Sequence, residues 1–173
     1  MDAEMLKLTI LTLFPLAMFY AAASDMFSMT ISNKVSIILI GGFVVLSWAI
    51  GMDLQTIAWN WALAAIVLSV GFGFFAAGWV GGGDVKLAAA ASLWLGWEHT
   101  VEFLVLAGFM GGLLTFMLLA MRTRMVPMIL LKTSWTARLL KDGGGVPYGI
   151  ALGPAAVFVY PETPWMQYVF SAM

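Results

Sequence analysis

The residues best suited to chemistry are two lone aspartates. Asp84 lies in Gly81-Gly82-Gly83-Asp84-Val85-Lys86-Leu87, and Asp25 closes an apolar run that begins near Leu6. The three glycines ahead of Asp84 let the backbone turn tightly or let another chain approach. Two carboxyl groups brought together in a low-dielectric site share a proton, because two like charges at short range are costly. Such a pair suits peptide hydrolysis. The ionised carboxylate takes a proton from water as the water attacks the scissile carbonyl. The protonated carboxyl polarises the carbonyl oxygen, and a carboxyl then protonates the leaving nitrogen. The alternative is that each acid caps a helix or sits at a membrane interface, where acids are common.

Other chemistries lack residues. The chain has no cysteine and one histidine, His99. Disulfides, thiolate zinc sites and cysteine nucleophiles are excluded, and neither a histidine-rich metal cluster nor a Ser-His-Asp triad is expected. No cofactor and no metal are called for. The net charge of −1 gives no nucleic-acid signal.

The elements that must position the two acids are membrane helices. The 173 residues are 62% hydrophobic and 10% charged, with a mean hydropathy of +0.98. Soluble domains are about 45–50% apolar and about 25% charged; lipid is the solvent that accepts this excess. The expected architecture is all-α and polytopic, a single bundle over residues 1–173. Six apolar segments are expected, near 6–23, 35–51, 57–80, 85–97, 100–121 and 146–160. The first reads as a retained helix, since it lacks a basic flank and a small-residue cleavage site, with Pro15 as a kink. The fourth is short for a span, so either its helix begins at the glycines or Asp84 lies below the membrane surface, and both suit a recessed acid. Residues 165–173 form an apolar tail too short to span. A long loop over 122–145 is basic, and its 128–140 part reads as an interfacial helix or lid.

With six spans, the connections after the first, third and fifth share a side. They hold Lys34, Lys86, Arg122, Arg124, Lys132, Arg138 and Lys141, all the basic residues except Lys7. The positive-inside rule places both termini outside and these loops in the cytoplasm. Asp25 and Asp84 then face the same, cytoplasmic side. Glu98, His99 and Glu102 look like a metal cluster, but they fall on the opposite side. Lys86 either acts on an acid or loop, or snorkels to the surface. Asn33 either binds the loop near Asp25 or caps the second helix. Tyr148 is either groove lining or an interfacial aromatic. The 13 methionines read mainly as lipid- or core-facing filler.

These motifs carry a resemblance. Gly81-Gly82-Gly83-Asp84 fits the G-x-G-D motif of membrane aspartic peptidases, and with Val85-Lys86-Leu87 it resembles the type IV prepilin peptidase family. Asp25 followed by Ile31-Ser32-Asn33 is similar to that family's first motif, with Ser32 where proline is usual. Val146-Pro147-Tyr148-Gly149-Ile150-Ala151-Leu152-Gly153-Pro154 resembles its third, glycine-proline segment.

The resemblance implies an aspartic endopeptidase of the cell inner membrane that removes the basic leader from type IV pilin precursors at the cytoplasmic face. Asp25 and Asp84 are implied as catalytic, with Gly81, Gly83, Lys86 and Asn33 supporting them and Pro147, Tyr148 and Gly149 at the substrate. Longer members add a cysteine-rich zinc segment that goes with N-methylation. This chain resembles the short members found with tight-adherence (Flp-type) pili, so no methyltransferase activity is expected. The implied partners are the prepilin, an apolar helix with a basic leader, and the bilayer. Two rivals stay open: a proton-coupled transporter or channel component, since membrane carboxylates also relay protons, and a non-catalytic scaffold for pilus assembly.

Overall fold

A computed structural model describes residues 2–123, 133–141 and 144–171. Among these residues the chain is helical and without strands. The helices are α1 (Ala3–Ser28), α2 (Asn33–Ala49), α3 (Leu54–Ala76), α4 (Gly82–Arg122), α5 (Ser134–Leu139), α6 (Gly149–Val159) and α7 (Pro164–Ser171), with a 3-10 turn over Tyr160–Glu162 before α7. Helices α1, α3 and α4 are long and apolar enough to cross a membrane, and α2 is a shorter apolar helix. Pro15 is accommodated inside α1, which runs on to Ser28.

Helix α4 replaces two expected segments, and it is not one straight rod. Gly96 breaks it with φ 69° and ψ −177°, a backbone region open essentially only to glycine. Tyr148 adjoins Asp84 in one cavity, and it also sits within 2.7 Å of where a Cβ on Gly111 would stand. In a straight helix, Asp84 and Gly111 would be about 40 Å apart. The chain therefore doubles back at Gly96, giving a first limb over 82–95 and a second over 97–122. The first limb starts at the glycines, one of the two expected arrangements.

The break frees carbonyl groups that a continuous helix would satisfy, and other helices bind them. Asn60 Nδ2 donates to Leu93 O at 3.1 Å, and Trp165 Nε1 donates to Trp94 O at 2.8 Å. Buried carbonyls need such partners. Around this point lies an aromatic core. Trp94 packs against Trp165 at 4.8 Å between ring centroids and against Phe14 at 5.5 Å, while Phe14 stacks on Tyr160 at 4.5 Å. Trp94 Nε1 donates to Leu39 O and Tyr160 Oη to Ile10 O, both at 2.9 Å. The tail after Pro164 is thus part of the core: Trp165 and Val169 are fully buried.

Helix α6 packs against both α1 and α4. Glycines make its approach to α1 close. A Cβ on Gly153 would lie 2.8 Å from Met18 O and 2.8 Å from Ala22 Cβ. Small residues one turn apart, Gly149 and Gly153, let membrane helices come backbone to backbone. This seam brings the start of α6 to the end of α1, where Asp25 stands.

Candidate active site

Asp25 lies in the last turn of α1 and is 5% exposed. The helix ends four residues on at Met29, which takes a left-handed conformation (φ 54°) and donates its N–H to Asp25 O at 2.7 Å. This stop holds the carboxyl side chain just inside the helix end. Oδ2 of Asp25 accepts the N–H of Gly149, the first residue of α6, at 2.8 Å. There is no room for a side chain at that point: a Cβ on Gly149 would fall 2.8 Å from Asp25 Cβ and 2.9 Å from its Oδ2.

Asp84 lies in the first turn of α4 and is half-buried. A Cβ on Gly81 would stand 2.7 Å from its Oδ2. The glycine ahead of the acid therefore clears space for the carboxyl group itself. Its Oδ1 is buried and has no hydrogen-bond partner among the described residues. A carboxyl oxygen in that state is costly unless it meets another polar group.

Asp25 and Asp84 line one cavity of about 500 Å³. Its walls come from Met29 at the end of α1, Gly78 to Gly81 ahead of α4, and Gly144 to Tyr148 ahead of α6. The two acids, separated by 59 residues in sequence, are thus brought to one space by three helix ends.

The supporting residues divide. Gly81, Pro147 and Tyr148 line the cavity, and Gly149 reaches it through its N–H bond to Asp25. Gly83 serves packing instead: a Cβ there would lie 3.2 Å from Ile31 Cβ. Asn33 does not cap α2. Ser32 is the cap residue and accepts from Lys34 N at 3.3 Å, because a serine oxygen one residue earlier already faces the free amides. Asn33 Oδ1 instead accepts from Lys86 Nζ at 3.1 Å, which ties α2 to α4. Neither Lys86 nor Asn33 lines the acid cavity. The Tyr148 ring packs over Gly111, and its hydroxyl lies 3.5 Å from Thr115 Oγ1.

The basic loop contributes more than its composition indicates. Arg122, at the end of α4, donates from Nε and Nη2 to Leu139 O, from Nη1 to Gly144 O and from Nη2 to Gly145 O, at 2.7–3.0 Å. Arg138 Nη1 donates to Phe27 O at 3.1 Å, and Trp135 meets Phe27 edge-on at 5.6 Å. The loop is therefore strapped to α4 on one side and to the Asp25 end of α1 on the other. The only sequence signal for this was a run of basic residues, which reads equally well as a topology anchor. The expected helix over 128–140 is seen as Ser134–Leu139, and 124–132 lie outside the described residues.

The third member of the apparent metal cluster also differs from expectation. His99 and Glu102 are joined by Glu162, not Glu98, with one ligand atom from each within 4.8 Å of the others. None of them lines the acid cavity.

Among the described residues an all-helical apolar bundle brings two carboxyl groups to one cavity, an arrangement suited to acid–base chemistry on a bound molecule. A model of the type IV leader peptidase family matches residues 12–116, more than half of the chain and a stretch that includes both aspartates. The chain belongs to that family, and it is accordingly a multi-pass membrane peptidase. No curated protein and no solved structure matches it significantly.

Proposed function

We propose that the chain is an aspartic endopeptidase of the inner membrane that cleaves the leader from Flp-type prepilins at the cytoplasmic face, with Asp25 and Asp84 as its catalytic pair. The observation that carries this reading is the convergence of both acids on one cavity, within the region that matches the family. Asp25 Oδ2 is already an acceptor for Gly149 N–H. Asp84 Oδ1 has no partner among the described residues, which leaves it free for the scissile carbonyl. Water gives one proton to the ionised carboxylate and adds its hydroxide to the carbonyl carbon. The protonated carboxyl hydrogen-bonds the carbonyl oxygen as charge develops there. The C–N bond then breaks, and a carboxyl delivers the proton to the leaving amine.

Six spans with both termini outside remain the proposed topology. The doubling back at Gly96 supports it, since the 41 residues of α4 amount to about 60 Å of helix, twice a hydrocarbon core of about 30 Å. The first limb is only about 21 Å long, in keeping with an acid recessed below the surface. The absence of cysteine from the sequence supports peptidase activity without methyl transfer.

Co-expression with an epitope-tagged Flp-type prepilin, followed by immunoblot, tests the reading. Processing by the wild type and none by Asp25→Asn or Asp84→Asn is the expected result. Proton-driven flux in vesicles with no precursor cleavage would favour the transporter reading instead.

A further inference from the structure

A second cavity runs from Asp84 along the outside of the bundle. It has a volume of about 520 Å³ and lies between α3 and the two limbs of α4. Its walls are almost wholly apolar, and several of its residues, among them Ile66, Val70, Val101 and Leu104, are exposed on the lateral surface of the helices. In a membrane that surface faces lipid. The groove is open to a partner entering sideways from the bilayer.

Three features set it apart from an ordinary lipid-facing seam. First, it is continuous with the acid cavity: Val80, Asp84 and Tyr148 line both. Second, the described residues contain two buried side-chain oxygens without hydrogen-bond partners, Asp84 Oδ1 and Thr100 Oγ1, and both residues line this groove. Thr100 is 1% exposed. A helical threonine can bond the carbonyl three or four residues back, and the residue four back here is Gly96, where the helix is broken. Acyl chains have no hydrogen-bonding groups, whereas a peptide has donors and acceptors for either oxygen once its side chain turns toward the groove. Third, small residues line the groove. Ala88, Ala107 and Gly108 are among them, and a Cβ on Gly108 would meet nothing within 4 Å. Small residues let another helix approach closely.

The geometry points to this groove as the berth for the apolar helix that follows the scissile bond of the precursor, an inference that rests on the peptidase reading. From Asp84 to Leu95 the first limb rises about 16 Å, or about three helical turns. The groove therefore takes one face of a three-turn segment. The cut end lies at Asp84, and the segment runs away from it toward Thr100.

Photocrosslinking tests the assignment. A photoreactive residue replaces Leu104 in the groove or, as a control, Phe19, which is exposed on α1 and lines neither cavity. Both carry Asp25→Asn to retain uncut precursor, and the probe is the epitope-tagged Flp-type prepilin. The expected result is an adduct from position 104 that maps to the apolar segment of the prepilin, with little from position 19. Adding Gly108→Leu, which puts bulk into open space, should lower that adduct about tenfold or more. Adducts to lipid alone, equal adducts from 104 and 19, or no response to Gly108→Leu would each overturn it. Wild-type processing of the same prepilin is followed in parallel. Cleavage without the 104 adduct rejects the groove alone; neither cleavage nor adduct rejects the peptidase reading with it.

Discussion

The contact between Gly149 and Asp25 gives a test that leaves both acids in place. In Gly149→Ala the new methyl group would fall 2.8 Å from Asp25 Cβ, 2.9 Å from Oδ2 and 3.0 Å from Ile31 Cδ1, where ordinary contacts begin near 3.4 Å. Asp25 must retreat by about half an ångström, and the 2.8 Å bond from Gly149 N–H is stretched or lost. A hydrogen bond to a charged group contributes about 1.5–3 kcal/mol. If that bond orients the carboxylate for proton transfer, its loss lowers kcat by roughly 10- to 100-fold, at 1.36 kcal/mol per decade. Overpacking adds a stability cost of about 1–3 kcal/mol, so the thermal midpoint in detergent is measured alongside. The matched control is Gly145→Ala. Gly145 lines the same cavity, but a Cβ there meets nothing within 4 Å, and activity should stay within about twofold of wild type. Prepilin cleavage is timed with purified protein by gel shift. Wild-type turnover by Gly149→Ala, or equal damage from Gly145→Ala, would rule out an orienting role for the Gly149 contact.

Arg122→Ala should remove the bonds to Leu139, Gly144 and Gly145, raise amide exchange across 144–149, and slow cleavage. Arg122→Lys should not restore it, because an ammonium cannot reproduce the guanidinium fork. Gly96→Ala forces an L-residue into φ 69°, ψ −177° and should cost about 1–3 kcal/mol, read as a lower thermal midpoint. At the start of α3, the side chain and then the backbone N–H of Thr56 hold the Asp53 carboxyl below its ordinary pKa. That stabilisation is fully present above the unfolded value of about 3.9 and disappears as pH falls through the lower folded value. Asp53→Ala should therefore lower the thermal midpoint at neutral pH, and the gap should close in acid.

The two aspartates were legible because a charged residue in an apolar run is conspicuous, and lipid makes an idle charge expensive. Gly81 was legible as a turn, yet its role is narrower: it leaves room for Asp84 Oδ2. Asn33 and Lys86 sit inside recognisable motifs, but sequence order does not reveal that they bind each other across 53 residues. The Gly149 N–H bond to Asp25 was hidden for a related reason. A backbone donor has no side-chain signature, and the residue that permits the contact does so by lacking atoms. In the sequence Trp165 belongs to a tail too short to span, and length alone gives it no further role. Its hydrogen bond to Trp94 O depends on the carbonyl exposed by the break at Gly96. The fold of α4 shows the same limit: apolar pattern marked two segments, while their junction is a single glycine whose dihedral angles no composition predicts.

In the proposed mechanism Asp25 and Asp84 act as one unit. The most direct measurement is the cleavage rate of purified Asp25→Asn, Asp84→Asn and the double variant on the same prepilin. Residues that work together are strongly non-additive. Each single variant should therefore lose essentially all turnover, and the double variant should be no slower than either. Near wild-type cleavage by one of the single variants, or a double variant whose loss is the product of two partial losses, would contradict a shared catalytic pair.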